Sequence, residues 1–444
     1  MTTGIAILNA SGVALAADST LTVSNGNGKL HYPGIDKIFG LSPYDAVAIM
    51  IYGSSEFMGV PWEVVIKTFR DKFTARPASL EEYSKSFLDH LHRFCYTHIS
   101  TQRQDVELEE YTVALLGKVR RSGIRYINQL ANKLKLSGEY VNSNEQMADL
   151  WIKYARYVER DITHAIQEIS KMSFEISDAV PELKKGSYLS ADKFELDISR
   201  KVEKIFDKCF ELVFEGNVLS KKAVDLLRRL PALAVSRGVV CGTSSGIIFA
   251  GYGHDEIFPS LIWYELNGYI SHKLIYAKGG EVKINFDRGA AFRSFGNTES
   301  VNTFMNGISS DFREDFGASV EDFYRETQVD GNGGFDINFV RKNFDEIANN
   351  MERKFRKKIM STVALLPKQA LAEIASNLIM LSSIKSHISE VDGSVGGPVS
   401  SVVISRGDGM IWINRQHYFD SENNPHYMSR YGNRPPRLAA DSDK

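Results

Sequence analysis

The stretch that decides the fold is TTGIAILNASGVALAADST, residues 2–20. Two apolar runs, Ile5 to Leu8 and Val13 to Ala17, flank Asn9-Ala10-Ser11-Gly12, which carries the small and polar residues of a tight turn. That pattern predicts a β-hairpin. Antiparallel pairing returns the end of the second strand to the start of the first, so Asp18 is expected beside Thr2. Chain ends are ordered only where something ties them down, and the abrupt start suggests a leader of one residue, Met1.

The pattern continues outward. Ser24 to Lys29 reads as a polar loop, Lys37 to Leu41 as a short strand, and Ala46 to Tyr52 as an apolar strand stopped at Gly53-Ser54-Ser55. These two hairpins are expected to share one sheet. From Pro61 the period becomes helical, and from about 104 to 235 apolar residues recur at threes and fours with no strand signal. Strands resume from Val239, with a turn expected at Asn267-Gly268. Helices are expected over Thr298 to Ile308 and from Pro367 to His387, and a last hairpin over Val402 to Ile413. The order strands, helices, strands, helices, strands predicts two sheets between helical layers.

Composition narrows the function. The 444 residues carry a net charge of −2, which gives no global field for nucleic acid or an anionic membrane. The basic run Arg353 to Lys358 reads as a solvated helix face. Three scattered cysteines, Cys95, Cys209 and Cys241, argue against a disulfide scaffold and for a reducing, cytoplasmic setting. No export signal, no apolar run approaching about 18 residues, no metal-binding histidine spacing and no phosphate loop is found. No cofactor and no metal are expected.

Once Met1 is removed, Thr2 holds a hydroxyl and a free α-amine in one residue. A hydroxyl needs a neighbouring base to attack at neutral pH, and an N-terminal amine is one such base. Its pKa of ~7.7–8.0 leaves an appreciable neutral fraction near pH 7, whereas a lysine at ~10.4 is almost wholly protonated. The β-branch also restricts the hydroxyl's rotamers.

Around Thr2 the chain resembles the proteasome β-subunit and HslV family of N-terminal-nucleophile hydrolases. The residues that carry the resemblance are Thr2-Thr3, Ala16-Ala17-Asp18-Ser19 sixteen positions on, Lys37 in Asp36-Lys37-Ile38-Phe39, Gly53 after an apolar strand, and Asp392 in Asp-Gly-Ser-Val-Gly-Gly. It covers roughly residues 2–100, 236–309 and 362–416. Taken singly, each has an ordinary reading: a turn carboxylate, a solvated lysine, a turn glycine.

The resemblance implies an α+β, four-layer αββα sandwich with an inserted all-helical region. It divides the chain into core segments at 2–103, 236–309 and 362–417, a helical insertion at 104–235, a charged insertion at 310–361 and a flexible tail at 418–444. It makes Thr2 the nucleophile of a threonine peptidase. Lys37 and Asp18 would activate it, the Gly53 N–H would receive the oxyanion, and Asp392 would assist. The family's supporting serines are replaced by Phe295 and Val395, so Ser19, Ser394 and Asn297 are the supporting candidates. Peptides or unfolded proteins are the implied substrates, a homo-oligomeric ring the implied assembly, and a separate ATPase unfoldase an implied partner. The alternatives are an amidase or self-processing hydrolase with a specific substrate, and a catalytically inactive assembly or binding protein.

Overall fold

In the computed structural model the first hairpin forms as read. β1 (Thr3–Asn9) pairs antiparallel with β2 (Gly12–Asp18), from Gly4 opposite Ala17 to Asn9 opposite Gly12. The structure describes residues 3–25, 28–32, 34–41, 45–136, 144–173, 180, 190–215, 219–242, 244–309, 311–313, 315–317, 319, 337–389, 397–416, 419–420, 422–426 and 429.

Every residue of β1 and β2 is buried, so both faces of this hairpin are covered. Its sheet is completed by β12 (Ala290–Gly296) beside β1, and by β13 (Val399–Ser405) and β14 (Gly409–Asn414) beyond β2. A second sheet has the order β11-β10-β9-β6-β5, with β5 at Ile38–Gly40, β6 at Val47–Gly53, β9 at Ser245–Gly251, β10 at Ser260–Ile270 and β11 at Lys273–Lys283. All pairings in both sheets are antiparallel.

Alternation distributes the side chains. Ala6, Leu8, Val13 and Leu15 meet Ile38, Ala48, Met50 and Ile248 between the sheets. Ile5, Ile7, Ala14 and Ala16 point the other way and pack with Leu371, Ala375 and Ile379 of a long helix, Lys368–Ser389. On the second sheet, Ile49, Ile51 and Phe249 pack outward against α1 (Trp62–Lys72) and α2 (Leu80–His98) through Trp62, Val65, Phe69 and Phe87. Each fully buried apolar side chain of this size contributes roughly 1.5–3 kcal/mol.

Between these strands lies a helical bundle: α3 (Thr101–Leu136), α4 (Asn144–Ser170), α5 (Ala191–Val213) and α6 (Lys221–Ser236). In α5, Phe194, Ile198, Val202, Phe206, Cys209 and Val213 follow one another at threes and fours and are all buried. They share one face. Ser190 caps the helix by accepting from the Lys193 amide at 3.3 Å. The bundle has its own core, joined to the second sheet at Ile270 and Ile275. Further helices among the described residues include α7 (Glu299–Asn306), α8 (Ile337–Val363) and α9, the Lys368–Ser389 helix above. Among the described residues no helix is long and apolar enough to cross a membrane.

Three expectations need correction. Ser24 to Lys29 does not form one loop: Ser24 and Asn25 lie in β3 (Leu21–Asn25), which pairs with β4 (Gly28–Tyr32) through Asn25 opposite Gly28. Ladder bonds use backbone groups, which polar residues supply equally well. The two hairpins do not share a sheet, because β2 takes β13 on its free edge while β6 takes β9. Asn267-Gly268 is not a turn. It sits within β10 at a register shift, with the Asn267 side chain accepting from the Cys241 amide, and the chain reverses instead at Ser271-His272, both at positive φ.

Candidate active site

The site forms where β1 begins. Asp18 ends β2 and is 1% exposed, directly beyond the Gly4–Ala17 pair. Its Oδ1 accepts the Thr3 backbone N–H at 3.0 Å, so the carboxylate grips the nitrogen of the peptide bond joining residues 2 and 3. The same oxygen accepts from Lys37 Nζ at 2.9 Å.

Lys37 directly precedes β5 and is 5% exposed. Its carbonyl accepts from Ile51 N–H at 2.9 Å, which fixes the strand. Its ammonium donates a second hydrogen bond, to the Thr20 carbonyl at 2.9 Å. Burial pulls the lysine's pKa below its ordinary value, and Asp18, by charge and by hydrogen bond, opposes that pull. A buried ammonium held this way sits nearer to deprotonation than a surface lysine. Asp18 Oδ2 and Ser19 Oγ are buried without a hydrogen-bond partner among the described residues.

Gly53 ends β6 opposite Ser245 at φ +80°, and a Cβ there would lie 2.4 Å from the Ser244 carbonyl oxygen. Only glycine fits that backbone. On the other side of β1, Thr3 pairs with Gly296, and its hydroxyl donates to the Asn297 carbonyl at 3.1 Å. A cleft of about 670 Å³ is lined by Gly53, Gly296 and Asn297 and extends to Glu299, Arg313 and Glu352. Such a volume suits a peptide-sized ligand.

Tyr52 donates its phenol to Glu265, and burial together with that carboxylate pushes its pKa well up, so it is a neutral donor. Its ring lies 5.3 Å from that of Phe295. Phe295, standing where the resemblance expects a serine, is 5% exposed and belongs to the core between the sheets. That position offers packing and no hydroxyl.

The structure thus joins Asp18 and Lys37, places the hydroxyl of Ser19 next in sequence to that pair, and sets Gly53 and Asn297 on one cleft. Thr2, Asp392, Ser394 and Val395 lie outside the described residues. Sequence reasoning missed Thr3 and Thr20, which act through backbone atoms or a short hydroxyl contact and leave no residue-type signature. It also missed Arg313 and Glu352, whose 39-residue separation in a charged stretch carries no local signal. Among the described residues no group of three or more histidine, cysteine, aspartate or glutamate side chains could hold a metal ion.

No family model matches the chain, and no curated protein matches it in sequence. Solved structures do align with it over nearly its whole length. Anbu, described as an ancestral beta-subunit, from Yersinia bercovieri is 8% identical, with 98% of each chain covered and a TM-score of 0.27. A Gly-1 mutant of Anbu from Hyphomicrobium sp. strain MC1 is 10% identical, with 97% of this chain and 95% of that chain covered and a TM-score of 0.26. A helical assembly of the Anbu complex from Pseudomonas aeruginosa is 10% identical, with 98% of each chain covered and a TM-score of 0.25. The resemblance to the proteasome β-subunit and HslV is corrected accordingly: these three neighbours are Anbu proteins, not HslV or a proteasome β-subunit. Likeness at such TM-scores says nothing of activity, which has to be read from the chain's own geometry.

Proposed function

We propose that this chain is an N-terminal-threonine amide hydrolase that cleaves peptide bonds through Thr2 after removal of Met1. The observation that carries the reading is the buried Asp18 carboxylate, which binds Lys37 and the Thr3 amide on one oxygen. A charged pair beside the Thr3 amide is costly to bury. It has a use if the preceding residue does chemistry.

In this mechanism the Thr2 hydroxyl attacks the substrate carbonyl carbon and gives its proton to its own α-amine, a base worth ~10²–10⁴-fold. The Lys37 ammonium lowers the pKa of both groups, and Asp18 fixes its direction. The Gly53 N–H receives the oxyanion, a kind of donor worth ~10²–10³ in rate. The protonated amine passes its proton to the leaving amine as the C–N bond breaks. Water then hydrolyses the acyl ester, with the α-amine acting again as base. Asp392, Ser19, Ser394 and Asn297 are proposed as supporting groups.

On this reading the two sheets and their outer helices make a four-layer αββα sandwich of the N-terminal-nucleophile type. It is built from 2–103, 236–309 and 362–417, with insertions at 104–235 and 310–361 and a tail at 418–444. We also propose that it works as a homo-oligomer, because Met380, Ile384 and Ile388 of α9 are 54%, 57% and 81% exposed, the kind of apolar surface that protomers bury. Peptides or unfolded proteins are the proposed substrates and the cytoplasm the proposed location, in keeping with three free cysteines.

A second reading, an inactive assembly or binding protein with the same fold, is favoured by the core position of Phe295. Peptide hydrolysis tests the choice. Turnover by the wild type that vanishes in Thr2→Ala supports the enzyme, and equal rates in the two proteins overturn it.

A further inference from the structure

We infer that Glu352 of α8, positioned by Arg313, completes a substrate subsite for a cationic peptide side chain, lysine or arginine. The inference rests on the peptidase reading above and deepens it. The cleft that Gly53 lines is also lined by Arg313 and Glu352.

Among the described residues lining the cleft, Arg313 is the only basic one, and it is already engaged. Its Nη2 donates to Asp345 Oδ1 at 3.0 Å and to Asn349 Oδ1 at 3.1 Å, and its Nη1 donates to Glu352 Oε1 at 3.4 Å. One guanidinium thus serves two carboxylates. Glu299, also in the lining, pairs with Lys385 at 2.6 Å. Among the described residues lining the cleft, the carboxylates Glu299 and Glu352 outnumber the one guanidinium, Arg313, and Glu352 is 24% exposed.

The rest of the lining fits the same occupant. Ile308, Thr303 and Asn306 are uncharged and offer carbon surface to an alkyl stem, while carboxylate and carboxamide oxygens meet a cationic head. Lysine and arginine have this shape, an apolar stem ending in a charge. A glutamate side chain would bring a like charge against Glu352. Arg313 positions Glu352, and Glu352 is the recognition group.

Equilibrium binding of fluorescein-labelled peptides to the full-length Thr2→Ala protein, which cannot turn them over, tests this directly. Peptides differing only in one residue, Lys, Leu or Glu, are compared by anisotropy. The lysine peptide is expected to bind about tenfold more tightly than the glutamate peptide, a preference of roughly 1.4 kcal/mol, the low end for a charge-assisted hydrogen bond. Glu352→Gln should reduce that ratio to about twofold, and Asn306→Asp, which adds a carboxylate to the same lining, should raise it. Equal binding of the three peptides, a preference for glutamate, or no binding at all overturns the subsite. Hydrolysis by the wild type is read separately: a lysine preference in binding without turnover refutes the enzyme and leaves the subsite standing.

Discussion

Lys37 Nζ lies 2.9 Å from Asp18 Oδ1, with the two side chains only 5% and 1% exposed. Eighteen residues of sequence lie between them, and the hairpin β1–β2 together with the β5 strand brings them side by side.

Removing either partner strands a buried charge. Lys37→Met is expected to cost about 3–5 kcal/mol, and adding Asp18→Asn should recover part of that loss. Urea unfolding of the two single variants and the double variant checks this. Strictly additive losses would contradict the pairing.

Backbone geometry at the cleft gives a second expectation. Gly53→Ala meets the Ser244 carbonyl and carries a left-handed φ, so the strain of about 1–2 kcal/mol adds to overpacking of about 1–3 kcal/mol. Gly59 has φ +82° with nothing near its missing Cβ. Gly59→Ala therefore carries the first cost alone, and denaturation midpoints should rank wild type, Gly59→Ala, Gly53→Ala. An inverted ranking counts against the close approach to Ser244.

Acid should weaken the fold through α2. Burial lowers the pKa of both His90 and His92 to about 4, from an ordinary 6.5. The folded form resists protonation that the unfolded chain accepts, so stability is complete above pH 6.5 and falls as pH drops toward 4. His92, 4% exposed, contributes on the order of 3 kcal/mol across that window, and His90, nearer to solvent, less. Midpoints measured at pH 7 and pH 5 should differ, and His92→Phe should shrink the difference while His90 keeps part of it. A flat profile in the wild type contradicts it.

The helical bundle has a core of its own, and Phe206 is fully buried in it with the Arg228 guanidinium 4.4 Å from its ring centroid. Phe206→Ala should cost about 3–5 kcal/mol. Hydrogen exchange should localise the loss to α3–α6, and equal loss across β1 and β2 would show the two cores to be one.

Much of this architecture is legible in the sequence where burial writes a period. β1 and β2 announce themselves by apolar runs around a turn, and α5 by its spacing of threes and fours. The β3–β4 ladder was hidden because its polar residues carry no such signal, and Asn267-Gly268 misled because a β-bulge uses the same residues as a turn. In the site, Asp18, Lys37 and Gly53 were singled out by the resemblance; the structure pairs Asp18 with Lys37 and puts Gly53 on the cleft, and their catalytic roles belong to the proposed function. Thr20 was not, since a carbonyl has no side-chain identity, and neither were Arg313 and Glu352, which meet across 39 residues of sequence.

The central claim, that Thr2 is the nucleophile, is tested most directly by tandem mass spectrometry of the protein after treatment with a peptide epoxyketone, which bonds to both a hydroxyl and an adjacent free amine. Loss of Met1 and a single adduct on Thr2 are predicted, the adduct being absent from Thr2→Ala and strongly reduced in Lys37→Ala. Retention of Met1 in active protein, or an adduct elsewhere with Thr2 untouched, would contradict it.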